Sequence, residues 1–477
     1  MRVCLISPET AVSPDVAIAE LDVGEHIGLG MVAACLRRAG HEVCCVSCHS
    51  AQTAIAELAR HVPPSTELVG ISVMSQTYPA AIRIAAAARA ALGVPVVVGG
   101  ILPTILGPRF LAEFDPNRDI DFLVRGEGES TAVELAGALA SAASPSRLAG
   151  VRGLVWRHGD GIQVNRPRPA ASDLDALPFP DRDFAEPTIQ TLRRMGVQPA
   201  LRVISSRGCL GACRFCHIHE ALTHAGQRPT WRARSPSSMA EEIALLKADF
   251  GVTHVLFSDD NFFGYGRLGH ERALEFADLL GRKRLGVTFS IQSRVESFDG
   301  AVFAALQRVG LLSVDFGIET ITPRSLRFLN KHLDLEQVAR TVEGLQHMKD
   351  LAIGMYFLNI HPLTTVKETA LNYSFLKSVG YLDRDGPTRD REVYRKLAAS
   401  RLEITKHTRM YREVDDLGLL DAPIRGNPVL YDFRFESREM AALYQEMMAR
   451  AATHGTAGFA AFLDEQLKCR SGSHVAG

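Results

Sequence analysis

The chain has 477 residues, 46% of them hydrophobic and 22% charged, which is more than one core usually organises and unlike the composition of a disordered chain. Its 53 Lys plus Arg nearly cancel 54 Asp plus Glu for a net charge of −1, so no strong field gathers nucleic acid or an anionic membrane. Two or three domains and a small, neutral or compact partner are expected.

The opening Met1-Arg2-Val3-Cys4-Leu5-Ile6-Ser7-Pro8 has one basic residue and an apolar run cut short by Ser and Pro, unlike a secretory signal. No run of about 18 uninterrupted apolar residues follows, so no membrane span and a cytoplasmic protein are expected. In that compartment the nine cysteines stay reduced, and a tight group of them points to a metal site. Residues 3–7, 42–47, 68–73, 94–98 and 120–124 are β-rich, with amphipathic segments near 27–39, 52–61, 78–91 and 128–142. This alternation predicts a doubly wound parallel sheet over 1–143, with ligands beyond the carboxyl ends of its strands. The loops there begin at Glu9, at Ser72 to Thr77, at Gly99-Gly100 and at Arg125 to Glu129.

Residues 144–195 change character: two β-like runs flank Gly159-Asp160-Gly161 as a hairpin, then Pro167, Pro169, Pro178, Pro180 and Pro187 suit an extended strap without regular helix. From 196 to 385 strand candidates at 201–205, 254–258, 286–291, 312–317 and 353–358 alternate with helices and predict a partial (β/α) barrel. Residues 386–477 read as mainly helical, frayed after 471, and there is no internal repeat.

At the start of the barrel stands Ser205-Ser206-Arg207-Gly208-Cys209-Leu210-Gly211-Ala212-Cys213-Arg214-Phe215-Cys216. Soft thiolates this dense select zinc or iron–sulfur chemistry, and Gly208 and Gly211 let the backbone curl so that the sulfurs converge. Three cysteines leave one corner of a cubane free for another ligand, as open sites distinguish catalytic from structural metals. A zinc site completed by His217 or His219, on a non-catalytic scaffold, is the bland alternative; structural zinc usually joins two pairs of ligands some distance apart.

The spacing Cys-x3-Cys-x2-Cys, with an aromatic before the last cysteine, resembles the signature of the radical S-adenosylmethionine superfamily. That resemblance implies a 4Fe–4S cluster on Cys209, Cys213 and Cys216, with S-adenosylmethionine chelated to the open iron and cleaved to a 5′-deoxyadenosyl radical. It also places Phe215 near the adenine and suggests Asp259, Gln292, Arg294 and Glu319, at successive strand ends, as S-adenosylmethionine contacts. The second strand carries Asp259-Asp260 where many members have Gly-Gly-Glu. Any one of these residues could instead cap the helix that follows it.

The sheet at 1–143, with Gly99-Gly100 and Arg125-Gly126-Glu127-Gly128-Glu129, resembles the cobalamin-binding domain that precedes one large class of these enzymes, and with the Pro-Phe-Pro strap at 178–180 the likeness runs over about 1–385. Ser72, Ser75, Thr77, Gly99, Gly100, Gly126 and Glu127 are the expected cobalamin contacts, glycines letting backbone amides approach a planar ligand and its phosphate tail. The motif Asp-x-His-x-x-Gly is absent. His26 has the right neighbours at the wrong spacing and reads as a surface or helix-start residue, and the alternative for this unit is a docking platform without a cofactor. Cys4, Cys35, Cys44, Cys45 and Cys48 invite comparison with the two-cluster methylthiotransferases, but Cys44, Cys45 and Cys48 fall in or just after a β-run where small apolar side chains are expected and read as buried thiols.

The resemblance implies a cobalamin-dependent C-methyltransferase: the radical takes hydrogen from an unactivated carbon, methylcobalamin supplies the methyl group, and a second S-adenosylmethionine restores it. A small biosynthetic intermediate is the expected substrate and an external flavodoxin or ferredoxin the expected electron donor, with no nucleic acid involved. Cyclisation or rearrangement with the same cofactors is the rival reading. Tyr356, Asn359 and His361, at the end of a strand candidate, are candidates to face the substrate.

Overall fold

A computed structural model describes residues 1–8, 25–48, 58, 60–141, 144–228, 230–380 and 387–471; the loop from Glu9, most of the amphipathic segment 52–61 and the tail after 471 lie outside them. Along β1 (Arg2–Pro8) side chains alternate between two cores, Cys4 and Ile6 on one side and Val3 and Leu5 on the other. Such two-sided burial is what a parallel strand between helical layers requires. With β2 (Glu42–Cys48), β3 (Leu68–Ser72), β4 (Val96–Gly99) and β5 (Phe122–Val124) it forms a parallel sheet in the order β2-β1-β3-β4-β5. Helices Ile27–Arg38 and Glu129–Ala140 cover one face, and Tyr78–Leu92, Ile101–Leu106 and Pro108–Glu113 the other. The sheet is therefore doubly wound. Its order reverses between β1 and β3, where such sheets open a crevice.

The hairpin, β6 (Leu154–His158) and β7 (Gly161–Val164), is not separate: it joins the same sheet antiparallel to β5. Sequence reading set it apart because alternation marks a strand without naming its neighbour. A second correction concerns Pro187, which opens a helix, Glu186–Arg194; proline is tolerated in a first turn, where its missing N–H has no partner to lose. Between hairpin and helix the strap is tied to the first sheet by Asp181 N–H to the Gly30 carbonyl (3.0 Å) and by Arg37 to Asp183 (2.6 Å). Beneath it, buried Arg182 joins Glu25 and Glu242.

A second parallel sheet runs β14 (Ala352–Phe357), β13 (Leu311–Glu319), β12 (Thr288–Arg294), β11 (His254–Phe257) and β8 (Ala200–Val203), the open array of a partial barrel. Phe289, Ile291, Phe316 and Ile318 are buried under the outer helices, in a core where Phe257 meets Phe262, Phe276 and Phe289 edge to face. The alternate positions are polar. Thr288, Ser290 and Ser313 are bridged by His254 and by one another across three strands, with Gln292, Arg294, Asp315 and Glu319 further along the same face.

A two-residue ribbon, β9 (Ser206–Arg207) paired antiparallel with β10 (Arg232–Ala233), projects from the barrel. The C-terminal region is not only helical: β15 (Ile404–Thr405), β16 (Leu420–Pro423) and β17 (Leu430–Phe433) form a small antiparallel sheet among helices Pro387–Tyr394, Arg438–His454 and Phe459–Ser471. Strands this short leave too little alternation to read. After Tyr394 the helix widens into a π-turn, Arg395–Ala399. Among the described residues no helix is long and apolar enough to cross a membrane.

Candidate functional site

The cysteine loop is held from both sides before any ligand is considered. Asp259, 1% exposed, accepts hydrogen bonds from the Ser205 amide (2.8 Å) and hydroxyl (2.9 Å), and from the Ser206 hydroxyl (2.8 Å) and amide. Its carboxylate is spent on the backbone leading into the loop, which corrects the expectation that it contacts S-adenosylmethionine. Asp260 is the residue that reaches the loop, accepting from Gly208 N–H at 2.9 Å. Gly208 has φ of +84° and a Cβ there would overlap the Thr230 carbonyl, so only glycine fits. On the far side Arg214 N–H binds the Leu329 carbonyl (2.9 Å), Asn330 donates to the Ala212 carbonyl (2.7 Å) and Arg409 grips Glu220.

The three thiols have different surroundings. Cys209 Sγ lies 3.8 Å from the Tyr265 hydroxyl and accepts from Gly211 N–H at 3.3 Å. Burial raises the pKa of Cys213, opposed by the Lys331 and Arg294 cations. Burial pushes Cys216 up to about 11, opposed by the amides of His219 and Ile218 at the start of helix His217–His224. Cations and helix-end amides directed at thiols suit a site that takes them as thiolates. Among the described residues no three His, Cys, Asp or Glu side chains converge enough to grip one metal ion. Three cysteines around a single zinc would have sulfurs about 3.8 Å apart, from its Zn–S length and tetrahedral angles. Cubane ligands each bind a different iron and stand wider apart.

Arg294 and Glu319 sit beside this loop. Arg294 pairs with Glu296 (2.6 Å), donates to the His332 carbonyl (3.1 Å) and is one of the cations that favour the Cys213 thiolate. A Cβ on Gly211 would lie 2.9 Å from Arg294 Nη1, so that glycine leaves room for the guanidinium. Glu319 follows a bulge in β13 with φ of +66°, a strained conformation for a non-glycine residue, and pairs with buried Lys331 at 3.1 Å. Gln292 is exposed on the same polar face, and Phe215 packs against the barrel core.

A cavity of about 430 Å³ opens where the carboxyl ends of both sheets meet. The first sheet contributes Ser72, Gly99, Gly100, Gly126 and Glu127, and the barrel contributes Arg207, Gly208, Ser258 and Asp260. Gly100 has φ of +102°, and a Cβ there would stand 3.0 Å from the Val73 carbonyl. Mostly apolar walls, glycine turns and a few polar groups at the rim (Ser72, Gln227, Arg232) fit a large planar ligand with polar substituents. Ser75 and Thr77 lie outside this wall. Ser75 is buried against Thr405 (3.0 Å), which also meets His217 (3.0 Å), while Thr77 caps the Met74 amide (3.0 Å). His26 lines the cavity as well, with its Nδ1 accepting from Leu29 N–H (3.1 Å) to cap the helix at Ile27.

At the other end of the barrel face, Asn359 and His361 are each 1% exposed and engaged: Asn359 with the Leu397 carbonyl (3.1 Å) and Asn372 (2.8 Å), His361 with Ser325 (2.9 Å). Burial lowers the His361 pKa to about 3, so it packs as a neutral ring away from the site. Tyr356 differs, being 41% exposed on the polar face, with its hydroxyl 3.5 Å from Asp315 and Lys396 of the π-turn 5.1 Å from its ring. Tyr265, Lys331 and Lys396 were missed in the sequence, and of the Asp259-Asp260 pair the wrong member was chosen; for Tyr265 and Lys331 only their places after strand or helix ends offered a signal.

Residues 16–136 match the B12 binding domain family and residues 203–370 the Radical SAM superfamily. An uncharacterized methyltransferase of Pyrococcus horikoshii is 27% identical over 87% of both chains. The anaerobic magnesium-protoporphyrin IX monomethyl ester cyclase of Synechocystis is 25% identical over 69% of this chain and 63% of its own. Among solved structures, the cobalamin-dependent S-adenosylmethionine radical enzyme OxsB aligns over 94% of this chain and 66% of its own, with a TM-score of 0.72 and 16% identity. The radical S-adenosylmethionine methyltransferase TsrM from Kitasatospora setae aligns over 80% of this chain and 71% of its own, with a TM-score of 0.62 and 18% identity.

Proposed function

Because the chain belongs to the radical S-adenosylmethionine superfamily and carries a B12-binding domain ahead of the radical domain, we propose that it is a cobalamin-dependent C-methyltransferase acting on an unactivated carbon of a small biosynthetic intermediate. The observation that carries this reading is the shared cavity, whose walls come from the glycine turns of one sheet and from the residues beside the cysteine loop of the other. When bound, the cluster with S-adenosylmethionine supplies one-electron cleavage to a carbon radical, and cobalamin supplies the methyl group.

The protein's own part is placement. Cys209, Cys213 and Cys216 would hold the cluster, with Lys331 and Arg294 offsetting the charge of a buried Cys213 thiolate. Glu319 and Arg294 would take the ammonium and carboxylate of S-adenosylmethionine, Gln292 its ribose and Phe215 its adenine. Ser72 and the turns at Gly99-Gly100 and Gly126 would cradle the corrin, and the apolar walls keep water from the reacting carbon. Tyr356, the exposed aromatic over Lys396, would meet the substrate.

Anaerobic reconstitution with iron, sulfide and cobalamin, followed by product mass analysis, tests the reading. A brown protein with corrin absorbance and a product heavier by one methyl group supports it; absence of iron or corrin from the reconstituted protein overturns it. The similarity to the magnesium-protoporphyrin cyclases favours one second reading, a ring-forming or rearranging enzyme with the same cofactors, for which the product carries no added methyl.

A further inference from the structure

Four charged side chains meet at the seam between the two sheets. Glu127 lies in the turn after β5 and Glu129 opens the helix that follows it, and Arg207 and Arg232 face each other across the β9–β10 ribbon. Arg207 binds Glu129 at 2.6 Å and Glu127 at 3.3 Å, and Arg232 binds Glu127 at 2.7 Å. The remaining Glu127 oxygen accepts from Ala171 N–H of the strap at 2.7 Å. Both Glu127 oxygens are thus engaged at the seam, while the residue also lines the cavity. The four side chains are only 9–18% exposed, and two charges of each sign balance. Burial alone would favour neutral Glu127, yet the bond to Arg232 and the nearby Arg207 hold its carboxyl below the usual range; burial opposes charge on Arg207 too, and Glu129 and Glu127 outweigh it.

A balanced buried ion group gives little net stability over apolar packing of the same shape, but it tolerates one register only, since a displaced partner leaves a buried charge unpaired. Here the register matters for chemistry. Arg207 precedes Cys209 by two positions, Glu127 and Glu129 flank Gly128 of the turn, and all four line the shared cavity. Resting on the cofactor assignment above, we propose that Glu127, Glu129, Arg207 and Arg232 are positioning residues that fix the separation and angle between the cysteine loop and the corrin-binding face. Apolar contact alone would allow the two sheets to slide; the bidentate reach of Arg207 to two carboxylates on either side of Gly128 does not.

The test uses the full chain reconstituted with iron, sulfide and cobalamin, reduced so that both the cluster and the cobalt are paramagnetic. Electron paramagnetic resonance then reads the dipolar coupling between them, a distance measure independent of turnover. Wild type shows coupling. R207M and E129Q each lose it and retain less corrin on desalting, the R207M/E129Q double variant is no worse than either single one, and R207K, which keeps the cation, recovers part. Unchanged coupling and corrin retention in R207M, or strictly additive losses in the double variant, overturn the proposal. If R207M does not fold, E129Q and R207K carry the same comparison. Should wild type itself take up no iron or corrin, the cofactor assignment has failed; amide exchange in the unloaded protein then still decides the clamp, which requires residues 126–129 and 206–208 to lose protection together in E129Q and is refuted if either stretch stays as in wild type.

Discussion

Replacing Asp259 is the sharpest way to ask whether the cysteine loop is prearranged by the protein. Alanine there orphans the amides of Ser205 and Ser206, which have no freedom to turn to other acceptors. The two hydroxyls can rotate, and Ser206 already has the Asn261 carbonyl at 3.3 Å. At about 1–3 kcal/mol for each buried donor left without a partner, D259A costs about 2–6 kcal/mol. D259N costs less than D259A, because both amides bond the same oxygen, Oδ1, which asparagine can keep, and the Ser205 hydroxyl can turn to accept from the new amide NH2. The charged side chain is itself expensive to bury, which is why its pKa is pushed up to about 6 against the opposing influence of Arg272 and the two serines. Urea unfolding of the apoprotein at pH 7, following the barrel transition, gives the energies, and iron content after reconstitution gives the consequence for the loop. The reasoning is refuted if D259A unfolds within about 0.5 kcal/mol of wild type, the scale of an ordinary surface change, and still binds a full complement of iron.

C213A leaves two thiolates and should abolish 5′-deoxyadenosine formation with dithionite; continued formation would count against the cluster assignment. G100V forces a β-branched residue to φ of +102° beside the Val73 backbone and should lose corrin on gel filtration, so wild-type retention would show that the turn does not cradle it. Burial would raise the Glu220 pKa, but His224 and Arg409 outweigh it and hold it at about 2 against a usual 4.5. A lowered folded-state pKa means its stabilisation is complete above about pH 4.5 and disappears as pH falls toward 2, so the stability gap between wild type and E220Q should close over that interval. A gap independent of pH there would show that the pair with Arg409 carries no charge-dependent stability.

What the sequence revealed was local. The cysteines lie within eight consecutive positions, and the alternating burial along β12 and β13 left a period of two that could be read directly. The loop glycines were legible because few other residues accept a positive φ at a strand end. Contacts between distant segments leave no such trace. Ser75 looked like a ligand contact because it follows β3, but its partner Thr405 is 330 residues away. Glu127 and Asp259 were correctly seen to stand at strand ends, and their roles turned on which donors arrived from elsewhere. His361 follows β14 as a site residue might, yet Ser325 and the ring of Phe328 enclose it.

The π-turn at Arg395–Ala399 bears on how such a protein can diversify. A π-turn holds one residue more than the α-turn it replaces, so deleting a single residue there restores regular helix without unravelling the segments on either side. Because the wide turn already absorbs the extra residue, the chain before and after it would keep its place and only the residues of the turn would move by one position. Whichever side chain then took the place of Lys396 beneath Tyr356 would be a different one, giving the floor of the barrel a new chemical character through one codon lost rather than through a series of exchanges.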